Sequence, residues 1–202
     1  MNSPTVITDP AQIDKHWLET ALRRAGALND GGIQSIELGV RQRHAWSRIV
    51  PITVRYTRGS TGQRPEHLLL KLCSGEGGVF GPAEVMYYTR DYAGLVGGPV
   101  ARCFDAAFEG APRRYHVLLE DLSATHFNAD HVTPDERYAM ALAEAFAALH
   151  AHRWGEQRLR AIGLAPPAFE DFARYVAHVR QGLEPMLASV GRRLGARWSA
   201  RL

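Results

Sequence analysis

The sequence predicts an α+β chain: a five-stranded antiparallel sheet with a helix inserted between its third and fourth strands, followed by helices alone. Three observations predict it. Between residues 33 and 119, short runs rich in Ile, Val, Leu and Tyr alternate with polar or glycine-rich turns, as sheet strands do. One interruption of that texture, ending at Gly94, carries a short helical stretch. From Thr133 onward, apolar residues recur only at helical spacing. Strands first and helices afterwards are the pattern of an α+β chain.

The elements follow in order. Asp9-Pro10 reads as an N-cap and first helical position. Ile13, Trp17, Ala21 and Ala25 continue at helical spacing, and Gly26 supplies a stop. After the turn Asn29-Asp30-Gly31-Gly32, Ile33–Leu38 is the first strand. Ile49, Ile52, Val54 and Tyr56 lie in the second. The polar stretch Arg58–Glu66 is the loop to a third, Leu68–Cys73, and the three resemble a meander. A glycine-rich break from Gly75 to Gly81 precedes the helix Pro82–Ala93, closed by Gly94. Pro99–Phe108 and Tyr115–Leu119 complete the sheet. Thr133-Pro134-Asp135-Glu136 reads as a capping box, and Leu142, Phe146 and Leu149 carry that helix to about Arg153. A last helical region starts near Ala168, carries Phe169, Phe172, Val176, Val179 and Leu183, and breaks near Pro185.

Composition narrows the function classes. With 202 residues and 46% hydrophobic content, the chain has ample material for a core. A formal charge of +3 with scattered arginines argues against nucleic acid as the main partner. The exception is Arg192, Arg193, Arg197 and Arg201, which read as a solvated helix face in preference to a binding patch. Cys73 and Cys103 lie in apolar runs and read as reduced core residues of a cytoplasmic protein. Metal-ligand spacing is absent. The N-terminus has no signal pattern, and no apolar run approaches the ~18 residues of a membrane span, so no membrane partner is expected.

The most informative residue is Lys71. Only Lys15 and Lys71 are lysines; the other basic residues are arginines. Lys71 sits inside His67-Leu68-Leu69-Leu70-Lys71-Leu72-Cys73, and a lysine in an apolar strand needs an anionic partner. Its compact ammonium suits a single charge reaching a small oxygen cluster. Glu84, on the first turn of the following helix, is the candidate partner across the sheet face; a solvated glutamate favoured by the helix dipole is the competing explanation. The loop Arg41–Ser47 offers Arg41, Arg43, His44 and Ser47, and Gly39 permits close approach. Val117-Leu118-Leu119-Glu120-Asp121-Leu122 is a strand running into an acidic turn.

In this order and spacing, these pieces resemble the aminoglycoside/choline kinase superfamily, in its ecdysteroid-kinase-like branch of small-molecule kinases. Ser47 and the strand after it look like the family's phosphate-loop serine and second strand. Leu68-Leu69-Leu70-Lys71 looks like its third-strand lysine motif. Phe80 to Tyr88 is similar to its glutamate-bearing helix start, and residues 117–122 match its L-x-L-E-D-L hinge. Leu149-His150 resembles the end of a family helix. The resemblance spans about residues 35–155. It implies a protein-kinase-like N-lobe over residues 1–122, then the first helices of an incomplete helical C-lobe over 123–202. It also implies that ATP is the bound nucleotide. Lys71 would then bind the α/β-phosphates, Glu84 would hold Lys71, and Ser47 would touch the phosphates. The Glu120 carbonyl and Leu122 amide would meet adenine, with Leu119 beside the ring.

The family's H-G-D-x-x-x-x-N element and the metal-binding aspartate after it are missing, so no catalytic or metal-binding residue is assigned. Asp171 and His178 fall inside helical runs. The expectation is the N-terminal part of a larger phosphotransferase, cut before its chemistry and inactive alone. Its intact parent would use Mg²⁺ and pass the γ-phosphoryl group to the hydroxyl of a small-molecule alcohol. A non-catalytic nucleotide-binding or regulatory module is the alternative. A basic interaction protein acting through the C-terminal arginines is the third.

Overall fold

The computed structural model describes residues 5–40, 42–43, 47–73, 82–95, 97–111, 113–126, 133, 135–161, 163 and 169–190. The chain divides into two compact units, Met1–Trp154 and Gly155–Leu202. Arg41, His44 and Trp46, the stretch 74–81 with Phe80, Pro134, Ala168 and the four C-terminal arginines lie outside the described residues.

The first unit is built on a wholly antiparallel sheet. Its strands are β1 Ile33–Leu38, β2 Gln42–Arg43, β3 Arg48–Tyr56, β4 His67–Cys73, β5 Cys103–Gly110 and β6 Arg113–Glu120. Five of them follow one path in the order β1-β3-β4-β6-β5, and β2 pairs with β3 beside it. The α+β expectation therefore holds, and the three strands expected as a meander, β1, β3 and β4, are antiparallel neighbours; the order departs from a meander only after β4, where β6 precedes β5. The fourth expected strand begins later than Pro99, at Cys103. Gln42-Arg43, expected as loop, pairs with Ile49 and Arg48. Gly39 donates its amide to the Pro51 carbonyl at 2.8 Å, and a Cβ there would stand 3.1 Å from the Pro51 ring. Its small size thus serves a close approach to β3.

Side-chain alternation gives the sheet two unlike faces. Val50, Ile52 and Val54 of β3, Leu68, Leu70 and Leu72 of β4, and Leu118 of β6 are buried against Leu18, Ala21 and Leu22 of helix α1, Lys15–Arg24. The alternate residues build a smaller core on the other face: Cys73, Tyr115 and Val117, packed with Val85 and Tyr88. One-residue slippage would exchange these faces, so the two cores fix the register.

Helix α1 starts later than Asp9-Pro10 suggests. Asp9 caps a three-residue 3₁₀ turn, Pro10–Gln12, whose Gln12 side chain accepts from the Asp9 amide at 2.9 Å. Asp14 is the true N-cap, accepting from the Trp17 amide at 2.7 Å. The helix ends at Gly26 as expected. Its φ of +66° lets the Ala27 amide reach the Leu22 carbonyl at 2.8 Å, the bond of a Schellman termination.

The inserted helix α2 is regular only over Ala83–Met86 and continues as a π turn over Tyr87–Asp91, with Tyr92 N–H bonded to the Tyr87 carbonyl at 3.0 Å. Helix α3, Glu136–His152, is capped by Asp135, which accepts from Tyr138 N–H at 2.7 Å; the cap expected at Thr133 lies two residues too early. Aspartate is the stronger cap and stands immediately before the helix. None of its residues is buried, and Tyr138, Met140, Leu142 and Phe146 are exposed.

The second unit holds α4, Glu156–Ala161, which the sequence reading did not separate, and α5, Phe169–Val190. Pro185 lies inside α5, and the helix passes through the expected break. Among the described residues no helix is long and apolar enough to cross a membrane.

Candidate functional site

Lys71 stands at the centre of the sheet, opposite Ile49 on β3 and Val117 on β6. The pleat sends its side chain to the α2 face, away from Leu70 and Leu72. There its Nζ lies 2.7 Å from Oε1 and 2.8 Å from Oε2 of Glu84. The anion that an ammonium in an apolar strand requires is this carboxylate. The two side chains are 30% and 28% exposed, so the pair lies at the rim of the small core and reaches solvent.

Glu84 has a second donor that the sequence reading missed. The Tyr115 hydroxyl donates to Glu84 Oε2 at 2.5 Å. Tyr115 is 3% exposed. Burial first, and the bond to Glu84 next, hold its phenol well above the usual tyrosine range. The same carboxylate acts on Tyr88, whose phenol is pushed up to about 12, by burial and then by the charge of Glu84. Tyr115 was legible as a polar tip in the run Tyr115–Leu119, because a buried phenol needs a partner.

The remaining expected residues fall around this pair. Leu119 opposes Leu69, two positions along β4 from Lys71, and both are half-buried. With Ile49 they form an apolar shelf on the Lys71 face. Ser47 is two residues before Ile49, the cross-strand partner of Lys71. Glu120 opposes Leu68, three residues along β4 and so roughly 10 Å from Lys71. Beyond it, Asp121 N–H donates to the His67 carbonyl at 3.3 Å and its side chain accepts from Ser123 N–H at 2.8 Å. The Leu122 carbonyl accepts from the amides of Thr125 and His126 at 3.0 and 2.8 Å, so the strand ends in a tight turn.

The far end of α2 is anchored by α3. Arg153, just past the α3 terminus, donates from Nη2 to the Arg90 carbonyl at 2.6 Å and from Nε to the Asp91 carbonyl. Tyr92 and His152 stack with ring centroids 5.9 Å apart. A guanidinium on the last carbonyls of a helix satisfies groups that the helix leaves unbonded.

A second polar cluster occupies the opposite face. Asp105 Oδ1 is 2.6 Å from Arg24 Nη2, and Oδ2 is 3.2 Å from Nε2 of the fully buried His116. His116 Nδ1 accepts the Ile7 amide at 3.0 Å. Both ring nitrogens are thus engaged: Nδ1 holds the N-terminal segment to the sheet, and Nε2 ties β6 to β5. A cavity of about 400 Å³ lies alongside, lined by Trp17, Thr20, Arg24 and Asp105 among others.

Among the described residues no group of three or more His, Cys, Asp or Glu side chains is arranged to hold a metal ion. No family model matches the chain, and no curated protein or solved structure matches it.

Proposed function

We propose that this chain carries the nucleotide-holding part of an ATP-dependent small-molecule phosphotransferase, with a protein-kinase-like N-lobe in its first unit. The observation that carries the reading is the Lys71–Glu84 ion pair. It joins the third strand of the five-strand path to the helix inserted before the next strand, the two elements on which protein kinases build the lysine–glutamate pair that meets nucleotide phosphates. The chemistry suits that role. An ammonium has three N–H donors, and Glu84 engages two at most, so one remains for a phosphate oxygen. The apolar shelf of Ile49, Leu69 and Leu119 offers a surface for a planar base, and the roughly 10 Å between Lys71 and Glu120 leaves room for the ribose.

Phosphoryl transfer to a hydroxyl also needs a carboxylate base and Mg²⁺ ligands. The sequence has no H-G-D-x-x-x-x-N element, and among the described residues no three His, Cys, Asp or Glu side chains are gathered as metal ligands. The activity assigned to this chain is therefore nucleotide binding, and no step is routed through the metal. A non-catalytic nucleotide-binding or regulatory module would use the same pair; turnover of ATP by the purified chain excludes it.

Calorimetric titration with ATP and with adenosine tests the proposal. A charged hydrogen bond is worth about 1.5–3 kcal/mol, so Lys71→Ala is expected to weaken ATP about ten- to a hundredfold and leave adenosine unchanged. Equal ATP affinity in both proteins refutes the role of Lys71.

A further inference from the structure

We propose that Tyr115 is a positioning residue of this site: its hydroxyl holds the Glu84 carboxylate where Lys71 meets it, so the pair stands assembled before any nucleotide arrives. As a statement about nucleotide binding, this rests on the function proposed above.

The ion pair does not hold itself. With each partner about 30% exposed, it contributes on the order of 0–1 kcal/mol, too little to fix two long side chains. At its Glu84 end helix α2 adds little, since Arg153 holds only the far end. Its regular part is four residues long, no side chain caps it at Pro82, and it passes directly into a π turn. Tyr115, in contrast, is on β6, which pairs on one side with β4 and on the other with β5, and faces Cys73 and Phe108 across the ladders. A buried side chain on an interior strand is among the least mobile points of a fold. Its 2.5 Å bond to a carboxylate is of the charge-assisted kind, about twice as strong as a neutral one.

The choice of acceptor is informative. A tyrosine kept for bulk alone could send its hydroxyl to a backbone carbonyl or to solvent. This one goes to Oε2, the oxygen that Lys71 approaches at 2.8 Å, while Oε1 serves Lys71 at 2.7 Å. Burial and Glu84 keep the phenol protonated across the physiological range, so the donor is permanent. With a third of the carboxylate's bonds supplied by a fixed residue, Glu84 need not be recruited by ligand.

The lysine count supplies a clean experiment. Lys15 and Lys71 are the only lysines, so one amine-acylating reagent reports both, with Lys15 on α1 as internal control. Acylation rates of the full chain are read by peptide mass spectrometry in wild type, Tyr115→Phe, Glu84→Gln and the double variant. Tyr115→Phe is expected to raise the Lys71 rate relative to Lys15 several-fold, towards about tenfold. In the Glu84→Gln background it is expected to add nothing, because Tyr115 acts through that carboxylate. An unchanged Lys71 rate overturns the proposal. So does an equal rise at both lysines, or an effect that persists in Glu84→Gln, since either marks general loosening. If Tyr115→Phe does not fold, Tyr115→Met removes the hydroxyl with a side chain that adapts to irregular space. This readout needs no nucleotide. A wild type that fails to bind ATP while its Lys71 rate answers to Tyr115 sinks the function and leaves the positioning role intact. When ATP does bind, Tyr115→Phe should weaken ATP several-fold and spare adenosine; equal loss of both overturns the positioning role.

Discussion

Asp105→Ala should destabilise the first unit by about 2 kcal/mol, within about 1–4, through His116 and not through the salt bridge. The tautomer of His116 decides this. Its Nδ1 accepts the Ile7 amide, so Nε2 must carry the proton and donate it to Asp105. Removing the carboxylate leaves an N–H with no acceptor on a side chain that is 0% exposed, at a cost of about 1–3 kcal/mol. Arg24 is 53% exposed, and without it the Asp105 carboxylate still accepts from His116, which limits the share of Arg24 to about 0–1 kcal/mol. Urea unfolding followed by circular dichroism measures the difference. With an m-value of about 2 kcal/mol/M, the Asp105→Ala midpoint falls by about 1 M. Arg24→Ala should move it by less than half of that, and Asp105→Asn, which keeps one acceptor, should fall between. If Arg24→Ala matches Asp105→Ala, the reasoning is refuted, because the Arg24–Asp105 ion pair and not the buried imidazole then carries the energy.

Two further predictions concern α2 and the second core. Arg153→Ala frees the Arg90 and Asp91 carbonyls, so hydrogen exchange of amides 87–92 should speed up about tenfold while β4 and β6 stay protected; uniform acceleration contradicts a local anchor. The Cys103 thiol is pushed from an ordinary 9.0 to about 12, by burial first and the Asp105 charge second. The folded state therefore keeps a proton that the unfolded chain releases. Its contribution to stability is complete below about pH 9 and lost as pH rises towards 12, with Tyr88 adding to the loss above about pH 10. The urea midpoint should fall steadily from about pH 9 upward, and a flat midpoint contradicts the assignment.

How much of this was legible in the sequence depends on what each residue demands. The alternation in β3 and β4 announces two-faced strands, and Gly26 announces a helix end. Asp9 does cap a turn, Pro10–Gln12, but the long helix α1 starts from Asp14, and α3 starts from Asp135 and not Thr133; a local capping rule marks a start without saying how far the helix behind it runs. Gln42-Arg43 gives no signal at all, since a strand of two residues is too short for an alternation to show. At the site, the need of a strand lysine for an anion pointed to Glu84. The same need, applied to Asp105 and His116, would have pointed each towards the other.

What demand alone does not give is the supplier, and the sheet order decides that. A meander would place β5 beside β4. Instead β6 lies between them, so Tyr115 falls directly opposite Cys73, two residues from Lys71, and within reach of Glu84. With β5 in that position, Tyr115 would stand one strand further out, and the carboxylate would have to rely on a half-exposed ion pair. Arg153 teaches the same lesson over a longer range: its bonds to α2 join residues 62 and 63 positions apart, on elements whose adjacency no local pattern encodes. Lys71 is thus readable as a residue with an unmet need. The order β4-β6-β5 makes Tyr115, and not only Glu84, part of how that need is met, and for that reason the two-lysine acylation experiment is the sharper test of the site.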